Sequence, residues 1–213
     1  MIISLLQEKG GSGKTTIATN VATAIKMLGH RVLLIDTDPQ GSARDWHELN
    51  NGLTLDVIGL DRLTIDNDIR GYLPHYDYIF VDGAPHLKDT ALKMTIKIIL
   101  FSDVVLIPVQ PSPYDVLASS SLVSLVKQRQ SITENGTPKA AFIISRRMGN
   151  TKLGREVIKT LVEYDLPAIT GTYNRISYAE TASKGLTVLT SNDHNARDEI
   201  NELATSILKF AGE

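Results

Sequence analysis

The sequence predicts an α/β fold, a mostly parallel twisted sheet with helices on both faces, on three observations. Short β-branched runs alternate with longer segments of helical spacing from one end of the chain to the other, the pattern of strands joined by crossover helices. The first apolar run, Ile2-Ile3-Ser4-Leu5-Leu6, leads into a glycine-rich loop, Glu8-Lys9-Gly10-Gly11-Ser12-Gly13-Lys14-Thr15-Thr16, which opens a helical segment. Two further apolar runs close on aspartate, at Asp36 and Asp82, as happens where polar chemistry gathers at the carboxyl ends of parallel strands.

In chain order, residues 2–6 form the first strand and 15–28 the first helix, which Gly29 ends. Strands follow over 31–36, 55–58 and 78–82, with Pro74 marking a loop before the last of these. Apolar residues at helical spacing place a helix over 89–101, and the next strand is 104–109. A proline cluster at 108–113 makes a rigid loop before a helix over 115–130. The Asn135-Gly136 turn leads to a strand over 141–145, a helix over 152–164, a strand over 168–171 and a closing helix over 196–210. No linker, repeat or composition break divides residues 1–213, so one domain is expected.

Composition narrows the function classes. With 213 residues, 42% of them hydrophobic and 22% charged, the chain is long enough for a sizeable core and has no signature of disorder. It contains no cysteine, which excludes disulfides, thiolate metal sites and iron–sulfur clusters and fits a cytoplasmic protein. Its longest apolar stretch is interrupted by Lys97, Ser102 and Asp103, so no stable membrane insertion is expected. A net charge of −2 means that any nucleic-acid binding must use a local basic face.

The glycine-rich loop carries the clearest chemistry. A strand that turns into a helix through glycines aims successive backbone N–H groups, and the positive end of the helix dipole, at one point where phosphate oxygens can sit. Gly10, Gly11, Ser12, Gly13, Lys14, Thr15 and Thr16 are the nucleotide-binding set. Within it Lys14 supplies charge to the β- and γ-phosphates, and the Thr15 hydroxyl is placed for Mg²⁺. Lys9 has no part in that ordinary scheme.

In Ile35-Asp36-Thr37-Asp38-Pro39-Gln40-Gly41 two carboxylates stand one residue apart, which the period of a strand puts on one side. A phosphoryl-transfer site needs one carboxylate for Mg²⁺ and its waters and another to orient the attacking water. The same residues also read as a strand cap and turn. Val81-Asp82-Gly83 has the form of a strand whose terminal carboxylate holds Mg²⁺ through water. In the loop 108–115, Pro111 and Asp115 can face a ligand, or Ser112 and Asp115 can simply cap the next helix.

Together, in order and spacing, Lys9 to Thr16, Asp36 to Gly41, Val81 to Pro85 and Pro108 to Asp115 resemble the ParA/MinD group of deviant-Walker P-loop ATPases. Within that group the chain is most similar to the small ParA-type partition ATPases, including the ParF kind. The resemblance implies a slow ATPase using ATP and Mg²⁺, in which Lys9 reaches across a dimer interface to the partner's phosphates. It makes Lys9, Lys14 and Asp38 the catalytic set, with Asp38 positioning the attacking water. It also makes Thr15 a Mg²⁺ ligand and Asp36 and Asp82 carboxylates that hold Mg²⁺ through water or from behind its ligands, the division of labour between Asp36 and Asp38 being open. Adenine contacts are expected at Ser145, Arg146, Tyr173 and Asn174, with Pro111 at the nucleotide. Glu8 stands where an ordinary phosphate loop begins with glycine, a position the family does not keep as glycine.

Between residues 127 and 159 eight basic side chains, Lys127, Arg129, Lys139, Arg146, Arg147, Lys152, Arg155 and Lys159, face two acids, Glu134 and Glu156. This segment reads either as a patch for non-specific DNA binding or as solvated helix faces. By resemblance, the expected function is plasmid partition. An ATP-bound homodimer binds DNA non-specifically at the nucleoid, and a ParB-like or ribbon-helix-helix centromere-binding protein stimulates hydrolysis. Two alternatives are a MinD-like membrane-cycling regulator and a ParA-like ATPase that positions a protein cargo. The first needs a basic amphipathic C-terminal helix. Residues 195–213 set Arg197 and Lys209 against Asp198, Glu199, Glu202 and Glu213.

Overall fold

The computed structural model describes residues 1–85, 89–149, 156–157, 159–161 and 163–212. Among them are seven strands: β1 Ile2–Leu5, β2 Val32–Asp36, β3 Asp56–Gly59, β4 Tyr78–Asp82, β5 Val104–Val109, β6 Lys139–Ile144 and β7 Ala168–Thr170. They form one sheet in the order β3-β2-β4-β1-β5-β6-β7, and every described pairing is parallel. Each predicted strand is present within two residues of its expected ends.

Strand alternation builds two cores. Ile3, Leu5, Leu34, Phe80, Leu106 and Ile143 face one side. There they meet α1, Lys14–Met27, and the long C-terminal helix His194–Ala211. Ile2, Leu33, Ile35, Ile79, Val105 and Phe142 face the other. Helix α4, Asp89–Phe101, covers that side. Central strands buried on both faces are therefore apolar at nearly every position until the carboxyl end, where Asp36 and Asp82 stop them.

The helices depart from expectation where they are short. Helix α2, Ser42–Glu48, and α3, Ile65–Asp68, have no counterpart in the sequence pattern, since four to seven residues are too few to show a 3.6-residue period. The single helix expected over 115–130 is two, α5 Pro113–Leu117 and α6 Ser120–Ser131. The break falls at Ser119, whose hydroxyl donates to the Asp115 carbonyl and accepts from Gln7 Nε2 at the end of β1. Six of the thirteen residues of the helix expected over 152–164 lie outside the described residues, and of the others Val157 and Leu161 are buried in the second core. Helix α7, Ile176–Ala182, is likewise unsignalled by periodicity, and the C-terminal helix is α8.

Ile200, Leu203 and Ile207 of α8 are buried in the core shared with α1, so its apolar stripe is already covered. No helix among the described residues is long and apolar enough to cross a membrane.

Candidate nucleotide site

The carboxyl ends of β1, β2 and β4 are level. Leu5 pairs with Asp82, and Asp82 with Asp36 across the parallel ladders. The loop after β1 rises from this ledge into α1 through Gly13, whose φ of 96° is a left-handed conformation that favours glycine. Gly13 also meets Ser145, whose hydroxyl would lie 3.5 Å from an added Cβ. Ser145 Oγ donates to the Ser12 carbonyl at 2.7 Å and Gln110 Nε2 donates to the Gly11 carbonyl at 2.8 Å, so two loops from β5 and β6 brace the phosphate loop.

Lys14 is buried and donates to the carbonyls of Gln7 at 3.1 Å and Lys9 at 3.5 Å. Burial lowers its ammonium pKa, while the charges of Asp82 and Asp38 oppose that shift. The Thr15 hydroxyl donates to Asp82 Oδ2 at 2.6 Å. Burial pushes Asp82 up to about 7 against the hydrogen bond from Thr15, with the charges of Asp36 and Asp38 adding and that of Lys14 opposing.

Two buried polar atoms at this end of the sheet, Ser12 Oγ and Asp82 Oδ1, have no hydrogen-bond partner. A phosphate and a hydrated Mg²⁺ are the groups that a glycine-rich helix start and a half-satisfied carboxylate fit. No group of three or more His, Asp or Glu side chains placed for a metal occurs among the described residues. Thr15 and Asp82 would hold the Mg²⁺.

Asp36 stands beside Asp82 at the end of β2. Its Oδ1 accepts from the Asp38 N–H at 3.0 Å, and its Oδ2 accepts from the N–H groups of Ala43 and Arg44 at 2.9 and 3.1 Å. Both oxygens of this fully buried carboxylate are thus engaged by the turn and the first turn of α2. Burial nevertheless raises its pKa, with those N–H bonds opposing. Asp38, half-buried at the site's rim, accepts from the Gln40 N–H at 2.9 Å.

Lys9 forms an ion pair with Asp115 of its own chain. The Lys9 side chain is 45% exposed whereas Asp115 is buried at 1%, so the pair sits at the lip of the site. Asp115 also accepts from the Gln110 N–H at 3.4 Å.

Beside Gly13 and Thr16 lies a cavity of about 380 Å³, lined by Ser145, Arg146, Tyr173 and Asn174 among others. Those four residues are therefore brought together next to the phosphate loop, while Pro111 lies outside this lining. Sequence reasoning missed what holds the cavity wall. Glu199 of α8 accepts from Arg175 Nε at 2.7 Å, the Tyr173 N–H at 3.0 Å and the Tyr178 hydroxyl at 3.2 Å. Arg147 stacks over the Tyr173 ring at 4.1 Å. No local motif announces a glutamate that acts 26 residues away.

Among the described residues, the basic side chains of the 127–159 segment are spread over both ends of β6. Lys139 begins β6 and donates to the carbonyls of Phe210 and Ala211, whereas Arg146 and Arg147 follow its other end, about 20 Å away at strand rise. Lys127 pairs with Asp165, Arg129 donates to the Leu100 carbonyl at 3.4 Å, and Lys159 is exposed. Lys152 and Arg155 lie outside the described residues.

The Asp82 environment makes a pH prediction in protein without Mg²⁺. A carboxylate near pKa 7 when folded and 3.8 when unfolded holds an extra proton between those values, so its contribution to stability is lost as pH rises from about 4 to 7. The Asp82→Asn variant keeps an acceptor for Thr15 and removes the buried charge. Its advantage over the parent in denaturant unfolding should grow between pH 5 and pH 8 by on the order of 2 kcal/mol. An advantage constant across that range refutes the assignment.

The model of the CobQ/CobB/MinD/ParA nucleotide binding domain matches residues 3–188. Maintenance of carboxysome distribution protein A from Halothiobacillus neapolitanus is 29% identical over 206 residues, 94% of this chain and 93% of that protein. The sporulation initiation inhibitor protein Soj of Bacillus subtilis is 27% identical, covering 76% of this chain and 79% of its own. Among solved structures, the MinD cell division protein of Aquifex aeolicus superposes with a TM-score of 0.76 at 19% identity, covering 98% of this chain and 96% of its own. Phosphate loop, strand order and family model converge, and the chain belongs to the ParA/MinD family of P-loop ATPases, within the CobQ/CobB/MinD/ParA nucleotide binding domains.

Proposed function

We propose that this ATPase, working with ATP and Mg²⁺, is a positioning switch whose cargo is a protein assembly. Two copies close over the nucleotides, Lys9 of each reaches the other's phosphates, the closed dimer holds DNA without reading sequence, and hydrolysis releases it. Lys14 and Lys9 offset charge on the transferring phosphoryl group, Thr15 and Asp82 hold Mg²⁺, and Asp38 orients the attacking water. Asp36 is assigned instead to the loop that carries Asp38. Residues 1–213 act as one domain.

The observation that carries the cargo reading is likeness over nearly the whole of both chains to a protein named for carboxysome distribution. It turns the expectation from plasmid partition, implied by the small ParA-type ATPases, toward a protein cargo. The covered apolar stripe of α8 supports DNA over a lipid surface as the matrix.

Titrating double-stranded DNA with ADP, ATP and a non-hydrolysable ATP analogue, alongside vesicles of anionic phospholipid, tests the matrix. Binding should require ATP or the analogue and weaken steeply with salt, as counterion release dictates. Association with vesicles but not DNA would sink the reading. Deleting the gene in its host should disperse or clump a protein compartment while plasmid retention stays unchanged. Plasmid loss would return the cargo to partition.

A further inference from the structure

The Asp38 turn is gripped from beneath by one side chain that no sequence motif singled out. Arg44, on the first turn of α2, extends its guanidinium under the loop: Nη2 donates to the Asp38 carbonyl at 2.9 Å and approaches the Pro39 carbonyl at 3.5 Å. The same group lies near two carboxylates, with Nε 3.8 Å from the buried Asp36 and Nη2 3.9 Å from Asp61. Its own backbone N–H donates to Asp36 at 3.1 Å.

Two glycines make the seat. A Cβ built on Gly59, the last residue of β3, would meet Arg44 Cδ at 2.7 Å and Nη1 at 2.9 Å. One built on Gly41 would lie 3.1 Å from Nε and Nη2. The guanidinium therefore lies flat in a slot that any side chain at Gly59 would fill.

We propose that Arg44, seated on Gly59, is the positioning residue that sets the Asp38 turn for water attack. The inference rests on the assignment of Asp38 given above. A planar cation can hold a carbonyl and two carboxylates together, whereas a lysine ammonium offers one point of charge. Because Asp38 is tied through its carbonyl and its N–H, losing the grip displaces the carboxylate without removing it. A displacement of about 1 Å is enough to slow a reaction about a hundredfold.

The test compares the parent with Arg44→Ala, Gly59→Ala, the double variant and Asp38→Ala. Single-turnover hydrolysis of Mg·ATP is measured beside equilibrium binding of a fluorescent ATP analogue. Gly59→Ala is the decisive variant, because it keeps the arginine but displaces its guanidinium, the nearest atoms to the added Cβ all belonging to that flexible side chain, at a position outside the left-handed region. Each single change should slow hydrolysis by about ten- to a hundredfold with nucleotide affinity kept within about twofold. The double variant should be no slower than either single change, since both remove one interaction. Parent-like hydrolysis in either single variant, an equal loss of nucleotide affinity, or losses that multiply in the double variant each overturn the role of Arg44. If Asp38→Ala itself hydrolyses at the parental rate, the assignment of Asp38 fails and the proposal goes with it. An inactive Asp38→Ala beside a fully active Arg44→Ala removes Arg44 alone.

Discussion

Asp38→Ala should bind Mg·ATP and dimerise normally while hydrolysing it at least about a hundredfold more slowly, the range lost with a group that orients or deprotonates a nucleophile. The expectation follows from where Asp38 sits. It stands half-buried beyond the end of β2, with a carboxylate whose charge is felt by both Lys14 and Asp82. Neither Lys14 nor Asp82 depends on it for a hydrogen bond. Phosphate and metal contacts should therefore survive its removal. Its one described local task is to accept from the Gln40 N–H, and losing that bond costs about 1 kcal/mol of turn stability. Asp38→Asn separates the two effects, because the amide oxygen keeps the turn but cannot take up a proton from water. Both variants should be equally inactive, with only alanine lowering the melting temperature. Turnover in the asparagine variant at the parental rate would show that the carboxylate is not needed and move the role to another group.

Lys9→Ala carries the second large effect, complete loss of ATP-dependent dimerisation. Lys14 is buried and donates to two carbonyls of its own loop, whereas Lys9, paired with Asp115 of its own chain, lies at the lip of the site with nearly half its side chain in solvent, and must exchange that partner to cross a dimer interface. Sedimentation with ATP should give a monomer at every nucleotide concentration, and DNA binding should vanish with the dimer. Removing the lysine also leaves Asp115 buried without its cation, a cost of about 1–2 kcal/mol once the exposure of Lys9 is discounted. Adding Asp115→Asn should restore that stability without restoring the dimer. A Lys9→Ala protein that still sediments as a dimer with ATP contradicts the cross-subunit role.

How much of this is legible in the chain depends on whether the chemistry is contiguous. Residues 9–16 are contiguous, so strand, loop and helix start can be read together, and in the structure Lys14 and Thr15 open α1 with Thr15 hydrogen-bonded to Asp82. Strand-terminal Asp82 is legible for the same reason. For Asp36 and Asp38 the two-residue period is a weaker guide, because it holds only inside a strand. Strand β2 ends at Asp36 and the backbone turns, so one carboxylate is drawn down onto the N–H groups of α2 while the other stays at the rim. The basic segment cannot be read from spacing alone, because Lys139 and Arg146 lie at opposite ends of β6. Arg44 and Glu199 are invisible because each works through tertiary neighbours. One lies on a seven-residue helix, and the other reaches from the last helix to a loop 26 residues earlier.

The level alignment of Leu5, Asp36, Gly59 and Asp82 restricts where this chain can change in length. One residue inserted inside β2 or β4 would turn every later side chain of that strand to the opposite face, sending its terminal aspartate into a core and an apolar residue onto the ledge. The loops that enter the strands at the amino end, such as the turn at Asn135-Gly136 before β6, carry no such register. Changes in length are therefore accommodated more readily at the amino edge of the sheet, while the carboxyl edge must keep its count.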